Sequence, residues 1–91
     1  MTTVTERMRT KLEAAFAPAV LEIVDDSHKH AGHAGARPEG ETHFTVTIVS
    51  DAFAGKSRVD RQRLVYAALA AELAGPVHAL ALVLRTPAGA G

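Results

Sequence analysis

Three histidines, His28, His30 and His33, stand among Gly, Ala and Pro residues between Ser27 and Gly40, in a chain without cysteine. Imidazole has an unperturbed pKa of about 6.5, so near neutral pH a ring nitrogen lone pair is free for zinc, copper, nickel or iron. The same run also reads as an ordinary surface loop that happens to carry histidines. The chain has two more, His43 and His78. His78 sits at the start of the strongly apolar string VHALALVLR, where a lone histidine is more often a hydrogen-bonded core residue than a ligand. With no thiolate of its own, the chain could complete a soft metal site only with His, carboxylates or a partner's sulfur.

A second group of chemistry-bearing residues is cationic. Lys56, Arg58, Arg61 and Arg63 crowd the expected start of a helix. The helix dipole is already positive there, so this placement costs a few tenths of a kcal/mol per residue unless an anion offsets it. These four are the candidate nucleic-acid or partner-binding residues. Gly55, Lys56 and Ser57 fit the end of a phosphate loop, but the first glycine that such a loop requires falls on Ser50, so no nucleotide site is expected. Asp25 and Asp26 are adjacent carboxylates, but strand neighbours point to opposite faces, and the pair reads as a solvated strand end. No Ser or Cys nucleophile has a partnered base, and the chain is too short for a deep pocket, so an enzyme is the least expected class.

The elements that position these residues follow from periodicity. Thr3 and Glu6 have capping-box spacing, and Met8, Leu12, Ala15 and Phe16 recur at helical intervals, giving a helix from Val4 to Phe16 that Pro18 stops. Val20 to Asp26 reads as a short strand entering the His-rich loop, about 27–40. From Glu41 to Ser50 the pattern alternates: Phe44, Val46 and Ile48 take one face, His43, Thr45 and Thr47 the other. The two strands are expected to form a long-looped antiparallel hairpin. After the turn-rich DAFAGK, Ser57 with Asp60 opens a helix whose apolar stripe is Val65, Leu69 and Leu73, stopped by Gly75 and Pro76. Val77 to Arg85 is a last strand, and its long helical connection lets it run parallel to one hairpin strand. The tail runs from Thr86 to Gly91. The expected fold is a single α+β domain over residues 1–91, a three-stranded mixed sheet with the helices on one face.

Composition narrows the function classes. Ninety-one residues, with ten Lys and Arg against ten Asp and Glu, make one small net-neutral domain with no global field for nucleic acid or anionic lipid. No apolar run nears the ~18 residues of a membrane span, and the N-terminus alternates charged and apolar residues, so a cytoplasmic protein without a signal peptide is expected. Abundant Ala, Arg and Gly with few Lys suggests a GC-rich bacterial genome.

The strings HAGH (30–33), GETHF (40–44), IVSDAFAGKSRVDRQRLVY (48–66), AAEL (70–73) and VHALAL (77–82), in this order, resemble the BolA family over nearly the whole chain. The resemblance implies an αββααβ fold similar to the type II KH module, with a short extra helical turn near Asp51 to Gly55. It also implies a partner and a cofactor. BolA-like proteins pair with monothiol glutaredoxins, and the pair bridges a 2Fe–2S cluster that the glutaredoxin holds with its cysteine and a bound glutathione. On the BolA side the resemblance assigns one ligand to His78 and the other to the loop, with His33 the best match and His30 next; His28 and His43 are secondary candidates. Two neutral imidazoles replacing two thiolates on one iron remove negative charge and raise its potential, as in Rieske centres. The family's basic segment is often described as a helix-turn-helix, although here Gln62 stands where relatives commonly carry histidine.

Two functions therefore compete. One is a non-enzymatic iron–sulfur assembly, trafficking or iron-regulatory adaptor, docking a glutaredoxin through a surface that includes the basic helix start and the last strand, with glutathione or an acidic patch as the bound anion. The other is a DNA-binding transcriptional regulator using the segment 55–66. A third possibility is a metal-sequestering loop in which His28, His30 and His33 hold zinc or copper without a partner. The free protein is expected to be a monomer.

Overall fold

The computed structural model describes residues 3–27 and 41–88. Helix α1 spans Val4–Phe16, and the Thr3 hydroxyl accepts from the Glu6 amide (3.0 Å), as the capping spacing requires. A second cap comes from far along the chain. The Glu41 carboxylate accepts from the Val4 amide (3.4 Å) and from the Thr5 amide (3.1 Å) and hydroxyl (3.0 Å). A carboxylate at the positive end of a helix is favoured, so Glu41 ties the start of α1 to the start of the hairpin's second strand. The helix ends at Ala17, which is left-handed (φ 42°), before Pro18.

Strand β1, Val20–Asp25, pairs antiparallel with β2, His43–Val49, and β2 pairs parallel with β3, Ala79–Arg85. The sheet order is β1-β2-β3, with β2 in the centre, and the long helical crossover makes the parallel β2–β3 pairing possible. Along β2, Phe44, Val46 and Ile48 are buried and the intervening residues half-buried. The inner face packs on Met8, Leu12 and Phe16 of α1 and on Val65, Leu69, Phe53 and Val77. Phe16 and Phe53 rings meet at 5.1 Å, so the short 3₁₀ turn Asp51–Phe53 contributes an anchor to the core. The opposite face carries Val20, Glu22 and Val24 of β1 and Ala79, Ala81 and Arg85 of β3, all exposed. Among the described residues, no helix is long and apolar enough to cross a membrane.

The crossover departs from the single helix expected after Ser57. Ser57 caps α2, Arg58–Ala68, by accepting from the Asp60 amide (3.1 Å), but the helix bends at Leu69 (φ −106°, ψ 20°) before α3, Ala70–Ala74. Leu69 is fully buried, and beyond the bend Glu72 turns in against α1. Leu69 itself continues the apolar stripe, and neither Gly nor Pro marks the break, so periodicity could not reveal it.

Candidate metal-ligand rim and cationic cleft

β2 and β3 start side by side, because the parallel register sets His43 opposite Ala79. That register brings the His43 and His78 rings together, centroids 6.3 Å apart and planes 25° from parallel. His78 is exposed and His43 half-buried. The His78 amide donates to the Thr42 carbonyl (2.7 Å), which also accepts from Ala79 (3.2 Å). The backbone at His78 is therefore held by the sheet while its ring faces outward.

A buried hydroxyl pair supports the rim from beneath. Ser27 Oγ accepts from the Thr42 amide (2.9 Å) and the His43 amide (3.2 Å), and Thr42 Oγ1 lies 3.3 Å from Ser27 Oγ and 2.8 Å from His43 Nδ1. Ser27 and Thr42 are 3% and 0% exposed, so these bonds form away from competing water. Asp25 closes the arrangement. One carboxylate oxygen accepts from the Ser27 amide and the other from the Glu41 amide, both at 2.9 Å, so a single side chain clasps the residues on either side of 28–40. Glu41 takes a left-handed conformation (φ 63°) to make this turn. Asp26 accepts from the Thr45 hydroxyl, and its amide donates to the His43 carbonyl (2.7 Å). Asp25 and Asp26 are thus a half-buried fastening and not the solvated strand end that adjacency implied.

His28, His30 and His33 lie outside the described residues. His43 and His78 are brought together, and Ser27, the last residue before the histidine-rich stretch, accepts from the His43 amide. Among the described residues, no three His, Asp or Glu side chains are grouped to hold a metal ion. Two imidazoles are what this rim offers, and any metal seated there must take its remaining ligands from elsewhere. Imidazole suits iron, copper or zinc, so the donor set fits one face of an iron site completed by thiolates.

The cationic group divides. Lys56 and Arg58 are exposed and, with Arg61, Gln62, Leu84 and Arg85, line an open-mouthed cleft of about 310 Å³ between the start of α2 and the end of β3. Gly55, left-handed at φ 74°, makes the turn that presents Lys56. Arg63 is exposed outside the cleft, 3.8 Å from Asp60 on the same helix. Arg61, expected to contact an anionic partner directly, is only 6% exposed. Its Nε donates to the Lys56 carbonyl (3.1 Å) and its Nη1 to the Leu84 carbonyl (3.2 Å), which pins α2 to β3. A basic residue in a helix start reads as solvated unless its carbonyl partners are known, and one of them lies 23 positions away.

Sequence reasoning also missed Glu72. Its side chain is fully buried, yet Arg7 Nη2 approaches at 3.0 Å and Lys11 Nζ at 2.8 and 2.9 Å. Burial alone pushes its pKa up, but the hydrogen bonds from Lys11, its own backbone and Arg7, with the Lys11 charge, hold it below the ordinary carboxylate value. The one available signal was Arg7 and Lys11, two cations one turn apart beside the buried Met8 and Leu12.

The comparisons agree with this architecture. The BolA-like protein family profile matches residues 12–89. Human BolA-like protein 1 is 56% identical over 81 residues, covering 89% of this chain and 56% of the human protein. The chain thus spans little more than half the length of that relative. The DNA-binding transcriptional regulator BolA of Escherichia coli is 49% identical over 77 residues, covering 85% of this chain and 70% of the regulator. The solved structure of BolA1 from Arabidopsis thaliana superposes with a TM-score of 0.87 at 44% identity, covering 100% of this chain and 99% of the other.

Proposed function

The chain belongs to the BolA-like family, and from that premise we propose that it is a non-enzymatic adaptor that shares a 2Fe–2S cluster with a monothiol glutaredoxin and glutathione. The observation that carries the proposal is the pair of adjacent rings, His43 and His78, with Asp25 clasping Ser27 and Glu41, the residues that flank the histidine-rich stretch. His78 is one ligand. The second comes from 28–40, with His33 preferred over His30, and His43 stands beside His78 to shape the approach or to replace a missing ligand. The cluster supplies a redox-active iron centre, and the protein supplies neutral ligands that raise its potential.

Strand geometry refines the docking expectation. His43 and Val49 are the two ends of β2, six residue steps and so about 20 Å apart, and Leu84 and Arg85 pair at the far end. The cationic cleft therefore lies roughly that far from His78, so one small anion in the cleft would not also reach the His78 ring. Native mass spectrometry of this protein mixed with a cluster-loaded monothiol glutaredoxin and glutathione tests the proposal. A one-to-one complex retaining two irons and two sulfides is expected; recovery of only the glutaredoxin homodimer would refute it.

A second reading rests on the Escherichia coli relative, whose name is that of a DNA-binding regulator. With Arg61 engaged by carbonyls, the exposed cations for phosphates are Lys56, Arg58 and Arg63. Three contacts give a slope of log affinity against log salt of about −2.7. Anisotropy with a labelled duplex between low and physiological salt reads that slope, and a flat response excludes phosphate-based DNA binding.

A further inference from the structure

We propose that the cleft between α2 and β3 is a separate site for a compact phosphate-bearing small molecule. Four of the chain's ten Lys and Arg side chains line it, drawn from three parts of the fold: Lys56 from the turn, Arg58 and Arg61 from α2, and Arg85 from β3. Among the described residues, no carboxylate lines it. In a net-neutral protein, gathering like charges around one concavity raises the energy of the empty site, and an anion in the cleft relieves that repulsion.

The lining residues also specify the kind of anion. Arg58 from α2 and Arg85 from the end of β3 are both exposed, and their guanidiniums suit the paired oxygens of a phosphate, while Lys56 adds a compact charge. Arg61 is fixed by the Lys56 and Leu84 carbonyls, so the positive charge in the wall does not have to be ordered when a ligand arrives. Gln62 adds an amide donor. About 310 Å³ is at the small end of ligand-pocket volumes, enough for a diphosphate or a small phosphorylated molecule. Among the described residues no aromatic ring lines the cleft, so these residues offer phosphate recognition without a platform for stacking a base. A duplex presents its phosphates on a convex rod and would meet only the rim cations, leaving the concavity unfilled.

The site is remote from the histidine rim and does not depend on the iron–sulfur reading. It is tested by titrating the 15N-labelled protein with pyrophosphate, with ADP and with a short DNA duplex, against sodium chloride matched in ionic strength. Saturable amide shifts at 56–62 and 84–85 are expected with pyrophosphate and none at His43 or His78. The Arg58→Gln/Arg85→Gln variant should weaken binding about tenfold or more while its spectrum stays folded. Equal affinity for ADP identifies the phosphate as the group recognised, and tighter ADP binding adds a contact to the nucleoside. Shifts that follow chloride equally, or saturation by the duplex but not by pyrophosphate or ADP, would overturn the proposal.

Discussion

His78 combines two properties that rarely coincide: a backbone built into the sheet and a ring left exposed. Its amide donates to the Thr42 carbonyl, a bond that the side chain does not influence. His78→Ala should therefore leave the melting temperature within a few degrees of wild type while removing the shared cluster's spectrum. A large loss of stability would instead make His78 a packing residue. Asp25→Ala tests the clasp. Removing a carboxylate that accepts from both the Ser27 and Glu41 amides should cost about 1–3 kcal/mol in urea unfolding. It should also weaken cluster binding although Asp25 itself ligates nothing, and wild-type cluster affinity in a destabilised Asp25→Ala protein would contradict the positioning role. The types of these residues were legible in the sequence, and their roles only partly. His43 and His78 meet because of a parallel register formed across a helical crossover, and Asp25 acts on backbone amides that no pattern of side chains reveals.

At the scale of elements, the strongly periodic segments were the readable ones. β2 alternates as its residues dictate, and α1 and α2 start at Thr3 and Ser57, whose hydroxyls accept from the amides three residues on. The bend at Leu69 and the buried Glu72 were not readable, because a glutamate in a helix reads as solvated until its partners on α1 are known. Glu72 joins α3 to α1, and its lowered pKa fixes the direction of the pH response. The unfolded chain titrates at the ordinary value of 4.5, so the contribution is complete above that pH and is lost as pH falls through the lower folded value. Glu72→Gln should cost about 2 kcal/mol at pH 7. The gap to wild type should close progressively below pH 4.5, because the protonated wild type then resembles the variant. Denaturant midpoints across that range check it, and a gap independent of pH would mean that packing, not charge, holds α3 to α1.

The whole molecule places two kinds of chemistry at opposite ends of one small sheet, imidazoles where β2 and β3 begin and cations where they end. At about 20 Å, direct coupling between exposed charges is largely screened at physiological salt, where the Debye length is about 8 Å. Saturating pyrophosphate should therefore leave the affinity for a cluster-loaded glutaredoxin unchanged within about twofold, read by titration with and without the anion. A larger change would require coupling through the sheet or through the partner. The central claim is the shared cluster, and visible circular dichroism tests it most directly. The protein is titrated into a 2Fe–2S monothiol glutaredoxin homodimer with glutathione, in parallel with His78→Ala. A new spectrum that saturates at one-to-one and is lost or altered in the variant is the expected result. An unchanged glutaredoxin spectrum, or the same new spectrum from the variant, would contradict the assignment of His78 as a cluster ligand.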